Sequence, residues 1–273
     1  MDNNVKLFDA LAHPTLNGLW LNNQLNDGVN STENQGMTFN DLSAQLKNTD
    51  CSGAVACGLP KTGGYTHEKF FDACKKIEST KFLFQVAALE DIQNYKKDLS
   101  EIKGIGYKGV KIHCRLLNAS FNGEVLGNIF KECFKLGLIV FLCTYDYRNL
   151  SNGQVCSSTF KEVIDALKIE NRLKLIFVHG GVHEMMFYYE LVRHNKNFLL
   201  DLSYTFPKYH NSSIGYDIKF LMEHMDQRIV FGVDSPEYKF EDIFELINEY
   251  SNKLSKIKRT NFFNDNLANF LYP

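Results

Sequence analysis

The sequence is short of the features that would assign it quickly. It holds one tryptophan, Trp20, and five prolines in 273 residues, too few prolines for a Pro-rich linker or recognition tract. Thirty Lys and Arg stand against 32 Asp and Glu, a formal charge of −2. Such a balance makes no field for nucleic acid or an anionic membrane, and neither is an expected partner. No apolar run is long enough to cross a bilayer. Met1 is followed by Asp2 and Asn3 in place of a basic and then apolar segment, so no secretory leader is expected. The seven cysteines, at 51, 57, 74, 114, 133, 143 and 156, form no CxxC pair. They read as reduced thiols of a cytoplasmic protein, not as a disulfide framework. No GxGxxG follows the first apolar run, which removes the main support for a dinucleotide-binding open sheet.

What the chain does have is a regular alternation. Near-continuous apolar runs occur at 5–12, 53–59, 81–89, 108–114, 138–144, 173–179, 197–204 and 228–234, as parallel strands buried on both faces require. Between them lie HEKFFDACKKIES, VLGNIFKECFKLG, STFKEVIDALK, EMMFYYELVRHN, IGYDIKFLMEHM and FEDIFELINEYS. Each spaces its apolar residues at three and four, the pattern of an amphipathic helix covering a sheet. Gly137 and Asn195 stand where two of these helices should close. The alternation predicts one domain over residues 1–273, a single (β/α)8 TIM-type barrel with room for distortion. A doubly wound open sheet is the second choice.

In such a barrel the reacting groups come from the C-terminal ends of the strands, and alternation along a strand says which side chains share a face. Asp9, Leu11 and His13 share parity on the first strand, Lys111, His113 and Arg115 on the fourth, and Phe141, Cys143 and Tyr145 on the fifth. The sixth strand ends at His179, before Gly180 and Gly181, which let backbone and ligand approach closely. The eighth ends at Asp234, before Ser235 and Pro236. Polar groups thus gather at one strand end after another.

These residues carry a resemblance. FDALAHP resembles the D-x-H-x-H strand of the amidohydrolase superfamily, KLIFVHGG its sixth-strand His-Gly-Gly, RIVFGVDSPEY its G-S-D-x-P, and NDNLANFLY its closing helix. FLFQVAAL and GYKGVKIHCRL are similar to its third and fourth strands. The subgroup suggested is the amidohydrolase 2 branch of decarboxylases, lactonases and related hydrolases of small carboxylated compounds. The resemblance implies metal ligands from two histidines on strand 1, one on strand 5 and an Asp on strand 8, with a further His on strand 6. Here His13, His179 and Asp234 match, but Leu11 stands in the first histidine's place and Cys143 in the strand-5 slot. A metal held by only His13 and Asp234 would be short of the three or four protein ligands expected for zinc, so no cofactor is expected. The alternative is one divalent metal, zinc, held by His13, Cys143, His179 and Asp234.

The roles follow. Asp234 is the candidate general base; His179 and His13 are the groups to polarise a scissile carbonyl or meet its oxyanion. Lys111, Arg115, His113, Tyr145 and Arg148 are candidates to bind an anionic substrate. The plain alternative for Lys111 and Arg115 is an internal ion pair with Asp9 or another carboxylate. His67, His183, His194, His210 and His224 are given no role. Trp20 and the Asn-rich stretch 22–36 follow strand 1, where either a lid or a surface insertion would sit.

The expectation is a hydrolase of a small carboxylated or otherwise anionic molecule, working without a metal and preferring an activated electrophile such as a lactone or enol ester. The alternatives are a non-catalytic small-molecule-binding barrel and a decarboxylase of the same branch. The partner expected is a small-molecule anion; the oligomeric state is left open, with a homodimer compatible.

Overall fold

The computed structural model describes residues 6–20, 36–77, 81–117, 122–145, 147–149, 154–156 and 160–272. The strands are β1 (Leu7–Ala12), β2 (Cys51–Cys57), β3 (Phe82–Ala88), β4 (Gly109–Ile112), β5 (Ile139–Cys143), β6 (Tyr147–Asn149), β7 (Gln154–Cys156), β8 (Leu175–Val178), β9 (Phe198–Asp201) and β10 (Ile229–Val230). Eight of them form one parallel sheet in the order β1-β2-β3-β4-β5-β8-β9-β10, with helices between; β6 and β7 make a separate antiparallel pair after β5. The fold is a (β/α)8 barrel. No described helix is long and apolar enough to cross a membrane.

Its interior is apolar over most of its length. Phe8, Leu11, Val55, Val86, Phe141, Ile176 and Val178 pack there, and Leu267, Phe270 and Leu271 of the last helix join the same cluster. That helix plugs the N-terminal end of the barrel, where Lys174, just before β8, donates to the Phe270 carbonyl at 2.7 Å. A side chain such as Phe141, with no exposed surface, contributes about 1.5–3 kcal/mol by leaving water.

Two local departures from the expected pattern shape the opposite end. Residue 9 of β1 pairs with Ala54 and residue 12 with Ala56, so three steps on β1 oppose two on β2. This extra residue is a bulge, and it breaks the parity expected of Asp9, Leu11 and His13. Ala10 and Leu11 both face the barrel interior, while Asp9 turns to Gln45 of the helix Phe39–Asn48, at 3.0 Å. That helix is absent from the sequence reading. Its start is fixed by Thr38, whose hydroxyl accepts from the Asp41 N–H while the Asp41 carboxylate accepts from the Thr38 N–H, a reciprocal cap.

The second departure is the seam between β10 and β1. The eighth strand, expected over 228–234, keeps ladder pairing only at Ile229 and Val230. Beyond it, Ala10 N–H donates to the Phe231 carbonyl at 3.1 Å, Asp234 N–H to Leu11 at 2.8 Å and His13 N–H to Ser235 at 3.0 Å. Asp9 completes the closure by accepting from Val233 N–H at 2.8 Å and Leu11 N–H at 3.1 Å. A Cβ on Gly232 would sit 2.6 Å from the Leu11 nitrogen, so only glycine lets the two segments come this close. Gly137 closes its helix in the left-handed conformation, at φ 62°; Asn195 closes its own in an extended one, at φ −131°.

Candidate active site

The C-terminal ends of the strands bring Asp234, His13 and Lys111 together. His13 follows β1 and is held from both sides. Its Nδ1 lies 3.0 Å from the Cys57 carbonyl at the end of β2, and a carbonyl can only accept, so Nδ1 carries the proton. Nε2 lies 2.9 Å from Lys111 Nζ and 3.4 Å from Asp234 Oδ1. The two contacts ask opposite things of Nε2, a lone pair for the ammonium and a proton for the carboxylate. Burial and the Lys111 charge hold His13 down at about 4, against the pull of Asp234, so near neutrality the ring is neutral and Nε2 accepts from Lys111.

Lys111 reaches this point from the inner face of β4 and is 1 % exposed. It forms no ion pair with Asp9, whose oxygens take Leu11, Val233 and Gln45 instead. Asp234 is itself buried. Burial works to raise its carboxyl, but the positive charges of His179 and Lys111 work against it and hold it low.

His179 begins a tight turn after β8. Its Nδ1 donates to the Ser203 carbonyl at 3.0 Å, and Thr205 Oγ1 donates to the His179 carbonyl at 2.7 Å. With Nδ1 so engaged, Nε2 remains for Cys143, to which His179 is hydrogen-bonded. Burial opposes charge on both partners. For His179, Asp234 and Cys143 overcome it and the ring is raised. For Cys143, the hydrogen bond and the charges of His179 and Lys111 overcome it and lower the thiol to about 7. Cys51, Cys57, Cys74 and Cys133 are driven by burial the other way.

The backbone is strained where these groups emerge. Among the described residues, positive φ at non-glycine positions occurs at Lys61, His179, Val182, Tyr204 and Asp234. His179 and Asp234 are the two strand-end groups just described, and Tyr204 packs edge-on against His179 at 5.7 Å. Such conformations cost on the order of 1–3 kcal/mol each and persist where the surroundings impose them, most often at functional sites.

Sequence reasoning missed several neighbours. Tyr204, Lys208 and Tyr238 line the approach with Tyr145. Tyr145 lies edge-on to His179 at 6.2 Å and to Tyr204 at 5.2 Å, and Tyr204 meets Tyr238 at 5.9 Å. Lys208 Nζ donates to the Tyr204 hydroxyl at 2.6 Å and the Tyr145 hydroxyl at 3.3 Å. Asp201 and Ser203 are a second omission. Ser203 Oγ donates to Asp201, and Ser203's carbonyl positions His179. An Asp inside the apolar run NFLLDLSY was the available signal. Trp20 is placed over the site, its ring 6.0 Å from His13 and its Nε1 donating to Glu237 at 3.3 Å. His113 is buried at the end of β4, where its Nδ1 accepts from Leu116 N–H at 3.4 Å. The side chains of Arg115 and Arg148, and residues 22–35, lie outside the described residues.

Leu11 offers no lone pair, the Nε2 lone pair of His13 is taken by an ammonium, and among the described residues no group of three or more His, Cys, Asp or Glu is placed to hold an ion.

The sequence matches no protein-family model and no curated protein. The fold does have counterparts among solved structures. An uncharacterised TIM-barrel protein of Bordetella bronchiseptica superposes with a TM-score of 0.75 at 13% identity, covering 97% of this chain and 98% of that one. A probable 2-pyrone-4,6-dicarboxylic acid hydrolase of Acinetobacter baumannii, with citric acid bound, gives 0.64 at 15% identity over 97% and 99%. The 5-carboxyvanillate decarboxylase of Novosphingobium aromaticivorans, with bound manganese, gives 0.58 at 12% identity over 84% and 79%. Likeness at such identities is likeness of fold: the chain is built on the same (β/α)8 barrel as these proteins.

Proposed function

We propose that this protein is a hydrolase of a small carboxylated molecule, that it works without a catalytic metal ion, and that its substrate is a lactone or enol ester. The observation that carries this reading is the convergence of Asp234, His179 and Lys111 at one barrel mouth, two of them on strained backbone. Strain of that kind clusters at functional sites and persists only where the surroundings impose it.

In this reading Asp234 accepts a proton as a water molecule attacks the carbonyl carbon. A carboxyl held near 2 is ionised throughout the physiological range, so it is always free to accept. So weak a base supplies little driving force, because general bases work best when their pKa lies near the working pH. The electrophile must therefore bring its own activation, which a lactone or enol ester has and an amide lacks. His179, its imidazolium favoured by Asp234 and Cys143, donates to the developing oxyanion and then to the departing oxygen. His13 holds the Lys111 ammonium. Lys111 and Lys208 face substrate carboxylates, with His113, Arg115 and Arg148 as further candidates for the same anion, and Tyr145 and Tyr204 offer flat walls for a ring. Two of the similar proteins bear the names of carboxylated compounds, and one holds citric acid.

The test is a screen of pyrone carboxylates, other lactones and enol esters, followed by Asp234→Asn on whichever is turned over. The amide keeps the shape and cannot take the proton, so kcat should fall by about 10²–10⁴ with ligand binding largely kept. Equal turnover by both proteins would refute the assignment of Asp234.

A further inference from the structure

A buried lysine normally answers to a carboxylate, since an ammonium out of water needs compensation. Lys111 instead presents its ammonium to the lone pair of a neutral imidazole. His13 is arranged as a metal-ligating histidine is arranged: one ring nitrogen is fixed by a backbone carbonyl, that of Cys57, and the other points at a positive charge. Asp234 Oδ1 lies 3.4 Å from the same nitrogen. The differences from a metal centre are that the cation is part of the chain, and that Leu11 adds no donor where an ion would need a third.

We propose that the Lys111 ammonium is the resident cation of this site, standing on the His13 lone pair where a divalent ion would stand and offering its remaining N–H groups to an anionic oxygen of the ligand. The ammonium has three donors, and among the described residues His13 takes one. A metal needs three or four lone pairs around it; an ammonium is content with one lone pair and a nearby carboxylate. The substitution of Leu11 for a donor is then a consequence of the cation chosen, and a carboxylate or a lactone carbonyl is the ligand chemistry it suits.

The inference rests on reading the barrel mouth as the functional site but not on hydrolysis, and its test requires no turnover. Wild type and Lys111→Met, which keeps the volume of the stem and lacks the charge, are titrated calorimetrically with isophthalate and with isophthalamide, its neutral counterpart. Wild type should bind the dianion about tenfold or more tighter than the diamide, and Lys111→Met should lose that preference. Equal affinity of wild type for the two probes, binding of neither, or an unchanged preference in folded Lys111→Met would overturn the proposal; the wild-type comparison stands even if Lys111→Met does not fold. A protein that passes these tests yet hydrolyses nothing would count against the hydrolase reading alone.

Discussion

Asp9→Asn should make the protein more stable, and more so as the pH rises. Asp9 is fully buried at the β1–β10 seam and meets no cation there; its oxygens accept from two backbone N–H groups and Gln45. Burial raises its carboxyl to about 7, the hydrogen bonds opposing it only in part and Asp201 adding to it. For a group raised in the folded state, the stabilising contribution is complete below the unfolded value of 3.8 and is lost as pH climbs through about 7. A shift of about three units corresponds to roughly 4 kcal/mol across that window, an upper bound for so buried a group. Asparagine keeps the oxygen that serves Leu11 and Val233, and Gln45 can turn its amide to accept from the new NH2. Urea unfolding of both proteins from pH 4 to 8 should give parallel values at the acid end and a widening advantage for Asp9→Asn above pH 6. A gain of 1 kcal/mol is worth about 2–4 °C in Tm for a chain of this size. If Asp9→Asn is less stable than wild type at pH 8, the hydrogen bonds to the ionised carboxylate outweigh its burial and the reasoning fails.

Further expectations follow from other contacts. Iodoacetamide near neutral pH should alkylate Cys143 ahead of Cys51, Cys57, Cys74 and Cys133, as peptide mapping would show, and His179→Asn should abolish that preference; uniform labelling would contradict the hydrogen-bonded pair. Gly181→Ala combines a φ of +76° with a Cβ 2.2 Å from the Tyr188 ring, and should cost about 2–5 kcal/mol in denaturant unfolding; a loss under 1 kcal/mol would mean that the turn relaxes freely. His67 is bonded to Asp98 at 2.7 Å and lies 3.9 Å from Glu90. Burial works against its charge, but these partners outweigh it and raise its pKa. His67→Gln should therefore cost more stability below its ordinary value of 6.5 than above its raised one, and a pH-independent loss would refute this.

The barrel was legible because buried parallel strands write themselves as apolar runs, and the strand-end rule found His13, Lys111, Cys143, His179 and Asp234 without any structure. Parity failed on β1, where one inserted residue sends Leu11 inward and Asp9 outward; nothing in LFDALA marks a bulge. The helix Phe39–Asn48 has few buried positions, Leu42 and Leu46, too thin an apolar stripe to announce itself. Tyr204 and Lys208 stood in plain view after a strand, but their partnership with Tyr145 joins segments about sixty residues apart. The partner of Lys111 was likewise out of reach, since choosing His13 over Asp9 depends on which face of a bulged strand each occupies.

The placement of Trp20 has a use of its own. Because the chain holds no second indole, its tryptophan emission comes from one ring, set 6.0 Å from His13 and tethered to Glu237. The molecule therefore carries a built-in optical gauge at the mouth of its barrel. Compounds can be ranked by the change in that emission before any reaction is known, and a candidate that leaves it unmoved can be set aside without an activity assay.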